Sequence, residues 1–139
     1  SLMGPGSHGS TYGGNPLVCA ASLAVLQEIR EQELTANVLL MEVRIRETIR
    51  SWKLPIIEEV RGSGLLLGVR LNPDLIPVPE GKTPALVVVT KFMEHGLLAP
   101  PAGPNTFRLL PPLNVTESEI DEALAIVKST LESFLTTSV

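Results

Sequence analysis

Ile56-Ile57-Glu58-Glu59-Val60-Arg61, then Gly62-Ser63-Gly64, then Leu65-Leu66-Leu67-Gly68-Val69-Arg70-Leu71: this stretch decides the fold. The first six residues read as a strand and the glycine-rich triplet as a turn or bulge. Leu65 to Leu71 reads as a second strand. The unbroken apolar run Leu65 to Val69 fits a strand covered on both faces better than an edge strand. Two strands joined so tightly pair antiparallel, and helices lie on either side of them in the chain.

Upstream, Leu34, Val38, Met41, Ile45, Ile49 and Trp52 step by three or four residues, one face of a helix from about Leu34 to Trp52. Arg44, Arg46, Glu47 and Arg50 fall on its solvated side, and Trp52 is read as core. Pro55 ends it, because the residue before a proline avoids the α region. Earlier still, Asn15-Pro16 is a helix start: Asn15 can cap free amides, and Pro16 in the first position loses no hydrogen bond. From Leu17 to Leu26 only Ser22 is polar. A helix that apolar all round is expected to be buried all round, so a partner chain or a further domain is expected to cover it. Cys19, within it, is expected to be an inert buried thiol. The helix should fade near Glu31 to Glu33.

Downstream, Asn72 to Pro84 is expected to lack regular structure, having prolines at 73, 77, 79 and 84. Ala85 to Glu94 reads as a short helix; the β-branched run Val87-Val88-Val89 keeps strand open as an alternative. Gly96 is its stop, with His95 favoured there by the helix dipole. Leu97 to Ala99 is expected to be a short strand, Pro100 to Pro104 a loop, and Thr106 to Leu110 a strand closed by Pro111-Pro112. Thr116 and Glu119 form a capping box for the last helix. Its apolar stripe is Ile120, Leu124, Val127, Leu131 and Phe134. The order is α-α-β-β-α-β-β-α: an α+β fold, a small antiparallel-rich sheet packed with helices.

The 139 residues suit one domain, and with 44% hydrophobic but only 4% aromatic residues the core must be aliphatic. A net charge of −4 argues against nucleic acid, since no basic stripe can neutralise a phosphate backbone. One cysteine excludes an internal disulfide, and His8 and His95, far apart, argue against a metal site. No segment reaches the roughly 20 apolar residues that span a bilayer. No signal peptide is visible, so a soluble cytoplasmic protein with no membrane partner is expected. Ser1-Leu2-Met3 reads as a vector remnant.

The chemistry concentrates at the start: Gly4-Pro5-Gly6-Ser7-His8-Gly9-Ser10-Thr11-Tyr12-Gly13-Gly14-Asn15-Pro16. Glycines allow successive N–H groups to point into one concavity, Ser10 and Thr11 add hydroxyls, and a helix N-terminus follows. A phosphate can be held there without a basic residue; a flexible glycine-rich leader is the alternative. No Gly-Lys-Ser/Thr follows, which disfavours nucleotide triphosphate hydrolysis. Arg108, between Phe107 and Leu109, suits capture of a carboxylate, or else faces solvent from an alternating strand. Arg61 reads as a solvated arginine beside a turn, and His8 as a solvent-exposed loop residue, with a place near the anion as the alternative. Glu58-Glu59, Glu117-Glu119 and Asp121-Glu122 fall on strand or helix surfaces, none placed for acid–base work.

Four pieces together resemble one family. Ser7 to Leu17 resembles the His-Gly-Ser/Thr-Thr-Phe/Tyr-Gly-Gly-Asn-Pro stretch of the class III, pyridoxal-phosphate-dependent aminotransferases. Val60-Arg61-Gly62-Ser63-Gly64-Leu65 with Gly68 is similar to their Arg-Gly-x-Gly-Leu-x-x-Gly segment. Glu94-His95-Gly96-Leu97-Leu98 resembles the strand entry after their small helix. Phe107-Arg108-Leu109-Leu110-Pro111-Pro112-Leu113 resembles Ile/Phe-Arg-x-x-Pro-Pro-Leu. The match runs from Gly4 to about Leu135 in family order, and the acetylornithine and ornithine members look nearest.

The resemblance implies the C-terminal part of a fold-type I enzyme. Residues 4–33 would be a cofactor-phosphate loop and interdomain helix, and residues 34–139 the C-terminal small domain. Ser10 and Thr11 would bind the phosphate of pyridoxal 5'-phosphate held by the partner subunit of a homodimer, and Arg108 the substrate carboxylate. The implied parent moves an amino group between N-acetylornithine, or ornithine, and 2-oxoglutarate in arginine biosynthesis. Its amino acid and 2-oxo acid substrates are the implied partners. The family's Schiff-base lysine lies upstream of the loop, and Lys53, Lys82, Lys91 and Lys128 match no part of its motif. The chain alone is therefore expected to be inactive. A non-catalytic anion-binding or assembly module on the same fold is the alternative, and a stand-alone phosphate-binding protein a further one.

Overall fold

The structure, a computed structural model, describes residues 4, 6–7, 9–14 and 15–136; expectations for His8 and for Ser1 to Met3 lie outside the described residues. The chain divides into two units, residues 1–35 and 36–139.

In the first unit the Asn15-Pro16 signal works as the residue chemistry requires. Asn15 Oδ1 accepts from the Val18 amide at 3.0 Å, and Pro16 opens α1 (Pro16–Glu31). Glu33, at a φ of 48°, turns the chain out of it. No residue of α1 is buried within this chain, and Leu17, Leu23, Val25 and Leu26 are exposed, the apolar surface for which a partner chain or a further domain is expected. Its own unit offers only a short glycine-rich loop as cover. Cys19 is exposed as well, not a buried thiol.

The second unit carries the core. α2 (Leu34–Trp52) buries Met41, Ile45 and Ile49, the stripe read from its spacing, while Trp52 packs against the core half-buried. The hairpin follows as β1 (Ile57–Ser63) and β2 (Leu66–Leu71). Where no regular structure is expected, Pro73–Leu75 forms a 3-10 turn, because Asn72 Oδ1 accepts from the Asp74 amide at 3.1 Å and starts it. α3 (Pro84–Glu94) is a helix despite its valines: Thr83 Oγ1 caps it through the Leu86 amide at 3.3 Å, and Val88 and Phe92 are fully buried. It stops as Gly96 requires, at a φ of 87°. The Gly96 amide donates to Met93 O at 3.1 Å and the Leu97 amide to Phe92 O at 2.9 Å, the paired bonds of a Schellman closure.

β3 (Thr106–Leu109) completes a fully antiparallel sheet of order β1-β2-β3. Leu97 to Ala99 makes no strand, so the order has one strand fewer than expected. Leu97 is held in the helix closure, and the prolines that follow have no N–H to donate. What remains of pairing is one bridge, Pro101 to Phe107, flanked by Arg108 N–H to Pro100 O at 2.9 Å and Ala102 N–H to Thr106 O at 2.7 Å.

β2 is central but not covered on both sides. Leu67, Val69 and Leu71 point into the core at zero exposure, whereas Leu66 on the opposite face is 54% exposed. The apolar run looked two-sided because Gly68, on the open face, contributes no side chain. α4 (Glu117–Thr136) closes the core with Leu124, Val127 and Leu131. Its capping box is formed: the Thr116 amide donates to Glu119 Oε2 at 2.8 Å, and the Glu119 amide to Thr116 Oγ1 at 3.3 Å. Phe92 and Phe107 meet edge to face at 5.0 Å, joining α3 to the sheet. The result is the α+β arrangement expected, a small antiparallel sheet packed with helices.

Candidate functional site

The opening loop is built on local hydrogen bonds. Ser10 Oγ accepts from the Gly13 amide at 2.9 Å, and the Tyr12 carbonyl accepts from Asn15 Nδ2 at 2.6 Å. Gly13 sits close against Ser10: a Cβ on it would stand 3.0 Å from Ser10 Cβ and 3.1 Å from Ser10 Oγ, a tight fit. Gly14 takes a φ of 77° directly before the helix start. The Ser10 hydroxyl donates its proton to no acceptor among the described residues. Among the described residues, the hydroxyl and amide of Thr11 take no partner. Both residues are exposed, one turn ahead of α1. This is a set of unused donors beside a helix N-terminus, chemistry that suits a phosphate.

The second unit presents Arg108 on the open face of the sheet. Phe107 and Leu109 are buried on the inner face, so alternation turns Arg108 outward. It does not stand free in solvent: it is half-buried, and its Nε is sequestered without a hydrogen-bond partner. Across the sheet, Gly68 pairs with Arg108 on one side and with Arg61 on the other. A cavity of about 280 Å³ is lined by Arg61, Gly68, Arg108 and neighbours. The loop and Arg108 belong to different units.

A second group was missed by pattern reading. Arg46 is not simply solvated on α2. Its Nη1 donates to Val60 O at 2.9 Å and its Nη2 to Gly62 O at 2.7 Å, while its Nε donates to Glu42 at 2.9 Å. Glu42 Oε2 accepts from the Gly64 amide at 2.7 Å. The Arg46 hydrogen bond, and then the Gly64 amide, hold the Glu42 carboxyl below its usual range. The i, i+4 spacing of Glu42 and Arg46 was the available signal.

The acidic pairs have structural partners. Glu58 binds Arg70 at 2.7 Å; Arg44 bridges Glu117 at 3.0 Å and Asp121 at 2.6 Å. Among the described residues no group of three metal-ligating side chains occurs, and no helix is long and apolar enough to cross a membrane.

The family model for class-III aminotransferases matches residues 1–131. The chain belongs to the class-III aminotransferases. It is 39% identical over 134 residues to an acetylornithine aminotransferase of Synechocystis, covering 94% of this chain and 30% of that protein. It is 40% identical over 128 residues to an ornithine aminotransferase of Emericella nidulans, covering 90% and 27%. Among solved structures, the ornithine aminotransferase of Toxoplasma gondii superposes with a TM-score of 0.81 at 31% identity, over 98% of this chain and 31% of that one. This aminotransferase chain thus spans about a third of the length of the relatives it matches.

Proposed function

We propose that this chain is the C-terminal part of a pyridoxal-phosphate-dependent aminotransferase that moves an amino group between N-acetylornithine, or ornithine, and 2-oxoglutarate. The observation that carries the reading is the presence, in a chain of this family, of a donor-rich loop at Ser10-Thr11 in one unit and, in the other, a half-buried Arg108 that makes no ion pair among the described residues. The T. gondii relative carries pyridoxal phosphate at its active site. The residues here fit that group: Gly13 and Gly14 shape a loop with unused hydroxyl and amide donors. When bound, pyridoxal phosphate supplies the electron sink for chemistry at the substrate Cα. Ser10 and Thr11 would donate to its phosphate from across a homodimer interface. Arg108 would bind the α-carboxylate through its planar fork and so set which substrate atoms face the cofactor. The setting is cytoplasmic arginine metabolism.

The lysine needed to hold the cofactor and move protons lies outside these residues in this reading. The 139-residue chain alone, supplied with pyridoxal phosphate, acetylornithine and 2-oxoglutarate, is expected to give no turnover; measurable glutamate formation would overturn this. In the full-length parent, Arg108→Ala is expected to raise KM for carboxylate substrates by about ten- to a hundredfold, the value of a charge-assisted contact. An unchanged KM removes Arg108 from the site.

A further inference from the structure

We infer that the free edge of β1 is a pairing surface for a second copy of this chain, and that Arg46 and Glu42 occupy it and keep it closed.

β1 ends the sheet, because the strand order is β1-β2-β3 and β1 pairs with β2 alone. In an antiparallel strand the N–H and C=O of one residue point the same way, and successive residues alternate. The Val60 and Gly62 carbonyls accept from outside the sheet, from Arg46 Nη1 at 2.9 Å and Arg46 Nη2 at 2.7 Å. Val60 and Gly62 therefore turn their backbone groups to the free edge, and Arg61 turns its own to β2. The two guanidinium donors stand where the amides of a fourth strand would stand. Glu42 extends the cover past the end of β1. Its Oε1 accepts from Arg46 Nε at 2.9 Å and its Oε2 from the Gly64 amide at 2.7 Å. Both side chains are only 18% exposed, so the pair is packed in place rather than swinging free. Open strand edges recruit other strands, and here the acceptors on which recruitment would start are already taken.

The occupant that fits the edge is written in β1 itself. Laid antiparallel to a second copy about Val60, the strand sets Val60 opposite Val60, and Glu59 opposite Arg61 of the second copy. Glu59 and Arg61 share the open face of the sheet, since they pair with Arg70 and Gly68 of β2, two residues apart. Both are exposed, and neither makes an ion pair among the described residues. In this register the Glu59–Arg61 contacts fall at non-hydrogen-bonded positions, where side chains come closest and opposite charges attract. Centring the pair on Arg61 would set two arginines against each other, so the charge pattern selects the Val60 register.

The test is amide hydrogen exchange, read residue by residue by NMR on the 139-residue chain at about 20 μM and about 1 mM. In the unaltered chain the Val60 and Gly62 amides are expected to exchange at one rate at both concentrations. Arg46→Met keeps the apolar stem and removes the donors; exchange of these two amides is then expected to slow about tenfold at the higher concentration. Adding Arg61→Glu should abolish the slowing, and adding Glu59→Arg as well should restore it. Arg44→Met, which removes an α2 arginine bound to Glu117 and Asp121, should behave as the unaltered chain. If Arg46→Met does not fold, Arg46→Lys takes its place: one ammonium cannot fork to both carbonyls, and a smaller slowing of the same two amides is required. Exchange independent of concentration in every folded Arg46 variant overturns the inference. So does concentration-dependent protection in the unaltered chain or in Arg44→Met, a slowing that survives Arg61→Glu, or a charge-swapped variant that fails to regain it.

Discussion

Gly62 carries the sharpest constraint at the scale of single residues. Its φ is 117°, and an added Cβ would fall 2.0 Å from the Leu66 carbonyl oxygen. Only a residue without a side chain lets β1 and β2 close so tightly. Gly62→Ala is expected to destabilise the second unit by about 2 kcal/mol or more, measured as a lower urea midpoint; an unchanged midpoint would show that the turn relaxes freely. The need for glycine here was legible from the Gly62-Ser63-Gly64 triplet. The neighbour that exploits it was not. Arg46 sits where helical periodicity marks a solvated face, and nothing local shows that its guanidinium reaches two strand carbonyls. Arg61 is exposed beside the turn, as read, but the row it forms with Gly68 and Arg108 exists only once the register is set.

At the scale of elements, helices are tied to their neighbours by carboxylates with lowered pKa. The Arg46 hydrogen bond, then the Gly64 amide, lower Glu42; the Thr116 amide, then its hydroxyl, lower Glu119; Arg44 lowers Asp121. In each case the folded state keeps the charge to lower pH than the unfolded chain does. The stabilisation is complete above the ordinary carboxylate range, about pH 4, and is lost as pH falls through the lowered values. Urea midpoints should therefore fall on acidification from pH 5 to pH 3, and Glu42→Gln should weaken that dependence. A midpoint flat over this interval would contradict these ties. Most helices and the hairpin were visible in the sequence because cap, stripe and stop coincide in each. The segment Leu97 to Ala99 was misread because apolar residues alone cannot tell a strand from an irregular loop; the hydrogen-bond demands of Gly96 and Pro100 decide it.

At the scale of the whole chain, the buried core of the described residues runs from Met41 to Phe134, with Val38 and Leu135 packed against it, and no residue of α1 is buried. A chain starting at Leu34 is expected to keep one cooperative thermal transition by circular dichroism, within a few degrees of the 139-residue chain; a broad or absent transition would make the first unit part of the fold. The apolar character of α1 was plain in the sequence, but what covers it was not, because burial depends on partners that a residue pattern does not contain. The prolines beside β3 have a different effect, on what the molecule avoids. The bonds at Pro100 O and Ala102 N are turned toward β3, so position 101 is where the segment would face outward and offer an N–H to a passing strand. Proline has none to offer. At this position a misfolded or neighbouring chain finds no donor on which to begin a fourth strand, so a single imino ring removes one anchor point for the stacking of copies at that edge.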